Sequence, residues 1–324
     1  MKKSIGNSRP PIGLAGIAYQ LPECIKPLDQ LESEGRISSP ASLLRGFGFE
    51  NCRIQEDRQE GSDLLLRSTK QAIREKRPVG GNISRVFLYS GINPSQAEDA
   101  QNVLELFNYP VAELRHKLDL PRASAIALSQ QGCSGILSAI DMARRLLSSP
   151  EVPAGESILC AAADYLPAWA NREIMYNIIS DATAAVVVSK GSEKNRIVHF
   201  HEQVQPYYWN TSLHENELIA SYFPIAKRAI EASLRDAGLE TSEIKWFVPH
   251  NVSLRSWEIL AKLLEIPMEK IWTKNIARLG HSVSCDHIIN LVDMEREGVL
   301  EKGDFLLLFT FGFGASWSCL IVEH

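Results

Sequence analysis

Hydrophobic positions along the chain fall into two rhythms. Short runs of small, β-branched and apolar residues occupy 12–19 (IGLAGIAY), 84–92, 123–129, 157–165 and 182–189, then 196–204, 244–250, 304–312 and 316–323. Several are apolar at consecutive rather than alternate positions, as strands covered by helices on both faces require. Longer amphipathic stretches lie between them and read as helices: 62–76, 134–148, 214–237, 253–265 and 286–297. In the second of these, Ile136, Ile140, Ala143 and Leu147 recur every three or four residues and mark one buried stripe. Segment 26–61 is polar and poorly periodic and reads as loop or cover.

The two halves repeat in plan though not in letters. Each reads strand, long helix, strand, then a chemically unusual turn into another helix: QQGCSG (130–135) in the first, VPHNVS (248–253) in the second. The charged SKGSEKNR (189–196) places the seam near 190–196. The expectation is therefore a pseudo-duplicated α/β architecture with halves 1–192 and 193–324.

Composition narrows the classes. The 324 residues are 45% hydrophobic and 23% charged, ordinary for a globular protein with a sizeable core. A net charge of −5 gives no support to a nucleic-acid or membrane-surface partner. The start, MKKSIGNSRPPIGLAG, is basic, but its apolar stretch is broken by glycine, so it reads as a tail and first strand rather than a signal peptide. No apolar stretch approaches the roughly 18–20 residues that cross a bilayer. Six cysteines (24, 52, 133, 160, 285, 319) are scattered without a CxxC pair, which fits a reducing cytoplasm.

Four segments could carry chemistry. Gly132 and Gly135 allow a tight turn around Cys133 and leave room for a substrate at the sulfur. The helix that follows points its positive end at that sulfur, favouring thiolate. The plainer alternative is a buried structural cysteine, the reading given to Cys160 and Cys319 in their apolar strands. His250 ends the strand IKWFVPH, before a helix that Ser253 can cap, and is placed either for proton transfer or as a satisfied core histidine. The run LGHSVSCDHIINL (279–291) gathers His281, Cys285, Asp286 and His287; the loose spacing and missing fourth ligand speak against zinc, so no metal is expected. Last, Gly312 and Gly314 flank Phe313 between two strands, with no helix following to make a dinucleotide loop. That turn either presents a backbone N–H or is a plain hairpin.

Taken in order, these segments resemble the thiolase superfamily, specifically the β-ketoacyl-acyl-carrier-protein synthase III family. QQGCSG matches its nucleophile turn, SDATAAVVVS (180–189) is similar to its D-G-A-A-A-V strand with Asp181 kept, WFVPH (246–250) matches its histidine strand, and GDFLLLFTFGFGASW (303–317) matches its closing hairpin. The resemblance covers nearly the whole chain. It implies a layered α/β/α/β/α fold with two pseudo-symmetric halves, Cys133 as acyl-accepting nucleophile, His250 as a catalytic histidine, and an oxyanion hole from the amides of Cys133 and Phe313. Phe313 replaces the family's middle glycine. His281 stands where the housekeeping enzymes carry Asn, and GHSVSCD is similar to a specialised branch that transfers acyl groups to alcohols or amines in antibiotic-type pathways. For that branch the implied working set is Cys133, His250 and Asp286, with Asp286 orienting His250 as base. The alternatives are a decarboxylative synthase, in which His250 and His281 bind a malonyl thioester carbonyl, and a non-catalytic partner subunit. No cofactor is implied beyond a coenzyme A or phosphopantetheine thioester as substrate. The partners implied are an acyl carrier protein or acyl-coenzyme A, a small-molecule acceptor and a second copy of the chain. The family's adenine-stacking Trp is missing from 32–54, which favours the carrier-protein donor.

Overall fold

The computed structural model describes residues 10–76, 82–92, 102–167 and 169–324. Its first half contains β1 (Ile12–Gln20), β2 (Ile25–Pro27), α1 (Leu28–Ser33), α2 (Ala41–Gly46), β3 (Asn51–Arg53), α3 (Arg58–Glu75), β4 (Ile83–Ser90), α4 (Pro110–Lys117), β5 (Ser124–Ser129), α5 (Gly135–Leu147), β6 (Ser157–Asp164), β7 (Glu173–Ile174), β8 (Asn177–Ile178) and β9 (Ala182–Lys190). There follow β10 (Arg196–Val204), α6 (Glu215–Ala237), β11 (Ile244–Pro249), α7 (Leu254–Leu264), α8 (Lys274–Leu279), α9 (Asp286–Arg296), β12 (Phe305–Gly312) and β13 (Ser316–Glu323). The nine apolar runs of the sequence all become strands of one sheet, in the order β11-β12-β13-β10-β1-β9-β6-β4-β5.

Pairing along that sheet repeats. Outward from its centre, β1-β9-β6-β4 runs antiparallel, antiparallel, parallel, and β10-β13-β12-β11 runs the same way. The first run adds β5 as a parallel edge; at the other edge only an isolated parallel bridge, Phe247 to Ile271, continues the pattern. The two runs meet where β1 pairs with β10 at Gly13 and Arg196.

Three apolar cores give the layers. α3 and α4 cover the outer face of the first run with Leu65, Ala72, Val111 and Leu114. α5 and α9 lie between the two runs, and their Ile136, Ile140, Ile288 and Leu291 pack on Leu14, Val186, Leu308 and Leu320. α6 and α7 cover the outer face of the second run with Ile225, Ala229, Trp257 and Leu260. The order is α/β/α/β/α, and the central helices are buried because they face a sheet on each side.

Segment 26–61, read as loop or cover, is cover made of short elements. It forms α1, α2 and the β2–β3 pair and buries Leu28, Leu31, Leu44, Phe49 and Ile54 in the core shared with α6 and α7. Its elements are three to six residues long, too short to show a period in the sequence. Among the described residues no helix is long and apolar enough to cross a membrane.

Candidate active site

The nucleophile turn is built by β5, by the backbone and by one tyrosine. Leaving β5, the chain passes Gln130 and Gly132, both at positive φ (68° and 50°), makes a single turn over 132–134 and enters α5 at Gly135. Tyr89 on β4 grips this turn: its hydroxyl donates to the Gly132 carbonyl (2.6 Å) and accepts from the Gln131 N–H (3.2 Å). Gly135 lies against the Tyr89 ring, where a Cβ would come within 1.9 Å of a ring carbon. Gly132 is thus explained by its positive φ in the turn and Gly135 by close approach. Cys133 is left buried at the N-terminal end of α5, with 8% of its surface exposed.

His281 faces the sulfur. Its Nε2 is 3.0 Å from Cys133 Sγ and its Nδ1 is 2.5 Å from Asp286 Oδ2. Asp286 opens α9, and its fully buried carboxylate also accepts from the backbone N–H of Asn251 (2.6 Å) and of Ser282 (2.7 Å) and from the Ser282 hydroxyl. Burial alone raises a carboxyl's pKa, but here the charge of His281 and these donors outweigh it and hold Asp286 below its ordinary value. Burial alone lowers an imidazole's, but the negative charges of Cys133 and Asp286 outweigh it and hold His281 well above the usual range. Cys133, His281 and Asp286 therefore form one continuous relay.

His250 stands apart from that relay. The expected pairing of Asp286 with His250 is not formed: Asp286 reaches the neighbouring Asn251 backbone, and its carboxylate points at His281. The reason is chain direction. His250 ends β11, with its own N–H donating to Phe309 O (3.1 Å), and its ring turns toward α6, where Nε2 is 3.5 Å from the Tyr222 hydroxyl. Its Nδ1 is buried and has no hydrogen-bond partner among the described residues. Burial, then the neighbouring charge of His281, push its pKa well below the usual value, which favours the neutral ring. The two rings, His250 and His281, stand edge to face at 5.8 Å.

The closing hairpin reaches the same place. Phe313 lies between β12 and β13 beside Gly314 (φ +87°), and a Cβ on Gly132 would fall 2.5 Å from the Phe313 amide nitrogen. That amide therefore abuts the nucleophile turn. Cys133, His250, His281, Tyr222 and Phe313 all line one cavity of about 620 Å³ whose wall is largely apolar and includes Trp209.

The remaining residues of 279–291 go elsewhere. Cys285 Sγ lies near the Ala162 and Ala182 carbonyls, and His287 Nε2 donates to Phe309 O at 2.9 Å, its pKa pushed down to about 4 by burial. They do not converge on a metal with His281. Among the described residues one group has ligand atoms close enough to share an ion, His199, His201 and Asp236, on β10 and α6. Sequence reasoning missed Tyr89, Tyr222 and Asp164. Asp164 accepts from the Gly91 N–H (2.7 Å) and from the backbone and hydroxyl of Ser284, tying the first half's loop to the turn that carries His281. Of the three, only Asp164 had a signal, an acid closing an apolar strand.

Comparison with known proteins shows the family and the fold. The family model described as 3-oxoacyl-[acyl-carrier-protein] synthase III matches residues 129–206, and that of the same family's C-terminal region matches residues 234–324. The β-ketoacyl-[acyl-carrier-protein] synthase III of Listeria innocua is 25% identical over 96% of this chain and 98% of its own, and that of Geobacillus kaustophilus is 25% identical over the same shares. Among solved structures, 3-oxoacyl-[acyl-carrier-protein] synthase III of Aquifex aeolicus superposes with a TM-score of 0.79 at 20% identity, over 97% of this chain and all of that one. ChlB3, described as an acyltransferase, superposes with a TM-score of 0.80 at 21% identity, over 97% of this chain and 98% of that one.

Proposed function

The chain belongs to the 3-oxoacyl-[acyl-carrier-protein] synthase III family, and we propose that within it this enzyme is an acyltransferase: Cys133 takes an acyl group from a carrier-protein or coenzyme A thioester, and a hydroxyl or amine acceptor removes it. The observation that supports this is the Cys133–His281–Asp286 relay, 3.0 Å at the sulfur and 2.5 Å at the carboxylate. In the first step the thiolate, paired with protonated His281, attacks the thioester carbonyl while the amides of Cys133 and Phe313 receive the oxyanion. The departing thiol takes the proton of His281. In the second step neutral His281 accepts the acceptor's proton as the acceptor attacks, the Cys133–acyl bond breaks, and the thiolate–imidazolium pair is restored. Asp286 keeps the Nδ1–H of His281 directed at itself and Nε2 directed at the reacting atoms.

Decarboxylative condensation asks for something different, neutral donors aimed together at an enolate oxygen. His281 is occupied by Cys133 and Asp286, so only His250 could serve. The names of the 25%-identical relatives keep that reaction as the second reading. The missing Trp in 32–54 favours a carrier-protein donor whose pantetheine arm enters the cavity.

Intact-mass spectrometry after incubation with hexanoyl- and malonyl-N-acetylcysteamine tests this. The expected result is an acyl adduct confined to Cys133, lost in Cys133→Ala, without carbon dioxide release from the malonyl thioester. Stoichiometric carbon dioxide release coupled to chain extension establishes the condensing reading instead. No adduct with any acyl thioester establishes an inert subunit.

A further inference from the structure

Tyr222 carries a hydroxyl that neither the nucleophile nor its relay uses. It sits on α6 just before Pro224, its ring edge-on to Phe223 (centroids 5.0 Å) and Phe311 (5.6 Å), which fix its direction. Tyr222 lines the cavity that holds Cys133, and its hydroxyl is 3.5 Å from His250 Nε2. Which proton lies between them follows from the far side of the His250 ring. Nδ1 is buried without a partner. A buried N–H left unsatisfied costs more than a vacant lone pair, so the neutral ring carries its proton on Nε2. His250 therefore donates to the Tyr222 oxygen, and the phenol proton is free to point at a ligand.

We propose that Tyr222 holds the acyl acceptor and that this acceptor is an alcohol, making the product an ester. The inference rests on the acyltransferase reading above. The acceptor oxygen accepts from the Tyr222 O–H through one lone pair, attacks the Cys133 thioester with the other, and gives its proton to His281; the Cys133–acyl bond then breaks and the thiolate leaves. An amine nitrogen has a single lone pair. Accepting from Tyr222 ties up the pair it needs for attack, so this arrangement disfavours amide formation. Water, with two lone pairs, is held as an alcohol is, and hydrolysis of the acyl-enzyme reads the same contact.

The experiment uses the full-length protein, acylated on Cys133 with hexanoyl-N-acetylcysteamine and followed by intact mass. Tyr222→Phe keeps the ring and its aromatic contacts. The expected result is acylation within about twofold of wild type, with decay of acyl-Cys133 in buffer slowed about 10- to 100-fold, the worth of one directed hydrogen bond. Replacing Tyr222 by 3-fluorotyrosine, a stronger donor, restores decay at least to the wild-type rate, which a merely structural hydroxyl does not do. Added benzyl alcohol yields ester in preference to the amide from equimolar benzylamine, and Tyr222→Phe erases that preference. Decay unchanged in Tyr222→Phe, or acylation lowered as much as decay, overturns the role of Tyr222. Amide formed in preference to ester overturns the alcohol assignment. Absence of any Cys133 adduct in the wild type removes the acyltransferase reading itself.

Discussion

Asp286 occupies the first position of α9, where unpaired backbone N–H groups and the helix dipole favour a carboxylate, and it spends that charge on His281 Nδ1. Two consequences follow at the scale of single residues. Asp286→Asn removes the charge that keeps His281 protonated opposite the sulfur, so both half-reactions suffer. Alkylation of Cys133 by iodoacetamide at pH 6.5 should fall about tenfold or more, and transfer about 10²- to 10⁴-fold, the usual worth of an oriented base. Acylation left at the wild-type rate would return the base role to His250. The same pair shapes stability against pH. Asp286 is held below its ordinary value, so its contribution is present above about pH 4 and lost as pH falls through its lower folded value. His281 is held above its ordinary value, so its contribution is full below about pH 6.5 and lost as pH rises through its higher folded value. Urea midpoints measured from pH 3 to 10 should show both flanks in the wild type and a flatter curve in Asp286→Asn. The family resemblance placed Cys133, His250, His281 and Asp286 in one site, yet it gave the carboxylate to His250, whereas the structure gives it to His281. The i, i+5 separation of His281 and Asp286 was visible; the direction of the His250 ring depends on β11 pairing with β12, a long-range fact.

At the scale of elements, the turn between β5 and α5 is held by a neighbouring strand rather than by its own residues. Tyr89 is the clasp: its ring floors Gly135 and its hydroxyl bridges Gly132 O and Gln131 N–H. Tyr89→Phe takes the partner from the half-buried Gly132 carbonyl and the Gln131 N–H, and should cost about 1 kcal/mol in urea unfolding while slowing Cys133 acylation. Gly135→Ala should be worse, since its Cβ meets the aromatic ring itself and either the ring or α5 must move. A fully active, equally stable Gly135→Ala variant would show that the clasp is slack. The glycines of QQGCSG announced a tight turn in the sequence, but nothing there named Tyr89 as what the turn packs on. Likewise the nine apolar runs were readable because each is six to nine residues long and most are covered on two faces, β5 and β10 being the more exposed ones. The short α1, α2, β2 and β3 were not, because three to six residues cannot display a period and their burial comes from α6, α7 and β11 far along the chain.

One nine-stranded sheet runs through both halves of the molecule, and the site lies across them. Cys133 comes from the first run of strands and helices, while His250, His281, Asp286 and Phe313 come from the second. The core between the runs mixes both, with Leu14, Ile136 and Val186 beside Ile288, Leu308 and Leu320. This central core couples the two halves, whose outer cores lie on either side of it, so urea unfolding should follow one transition by tryptophan fluorescence and by circular dichroism. Asp164 is the polar counterpart of that shared core. From the end of β6 in the first half it takes the Gly91 N–H with one oxygen, and with the other the N–H and hydroxyl of Ser284, three residues beyond His281. Asp164→Ala strips the half-buried Gly91 N–H and the two buried donors of Ser284 of their acceptor at the point where the halves meet over the cavity. It should lower stability by about 2–4 kcal/mol and, because the 281–286 turn loses its anchor, slow Cys133 alkylation as well. Ser284→Ala removes only the hydroxyl contact and should cost less than Asp164→Ala on both readouts. If Asp164 served only local stability of the first half, alkylation corrected for the unfolded fraction would match wild type in both variants. A slowing that follows the order Asp164→Ala, then Ser284→Ala, is the expected sign that the position of His281 is set from the opposite half of the molecule.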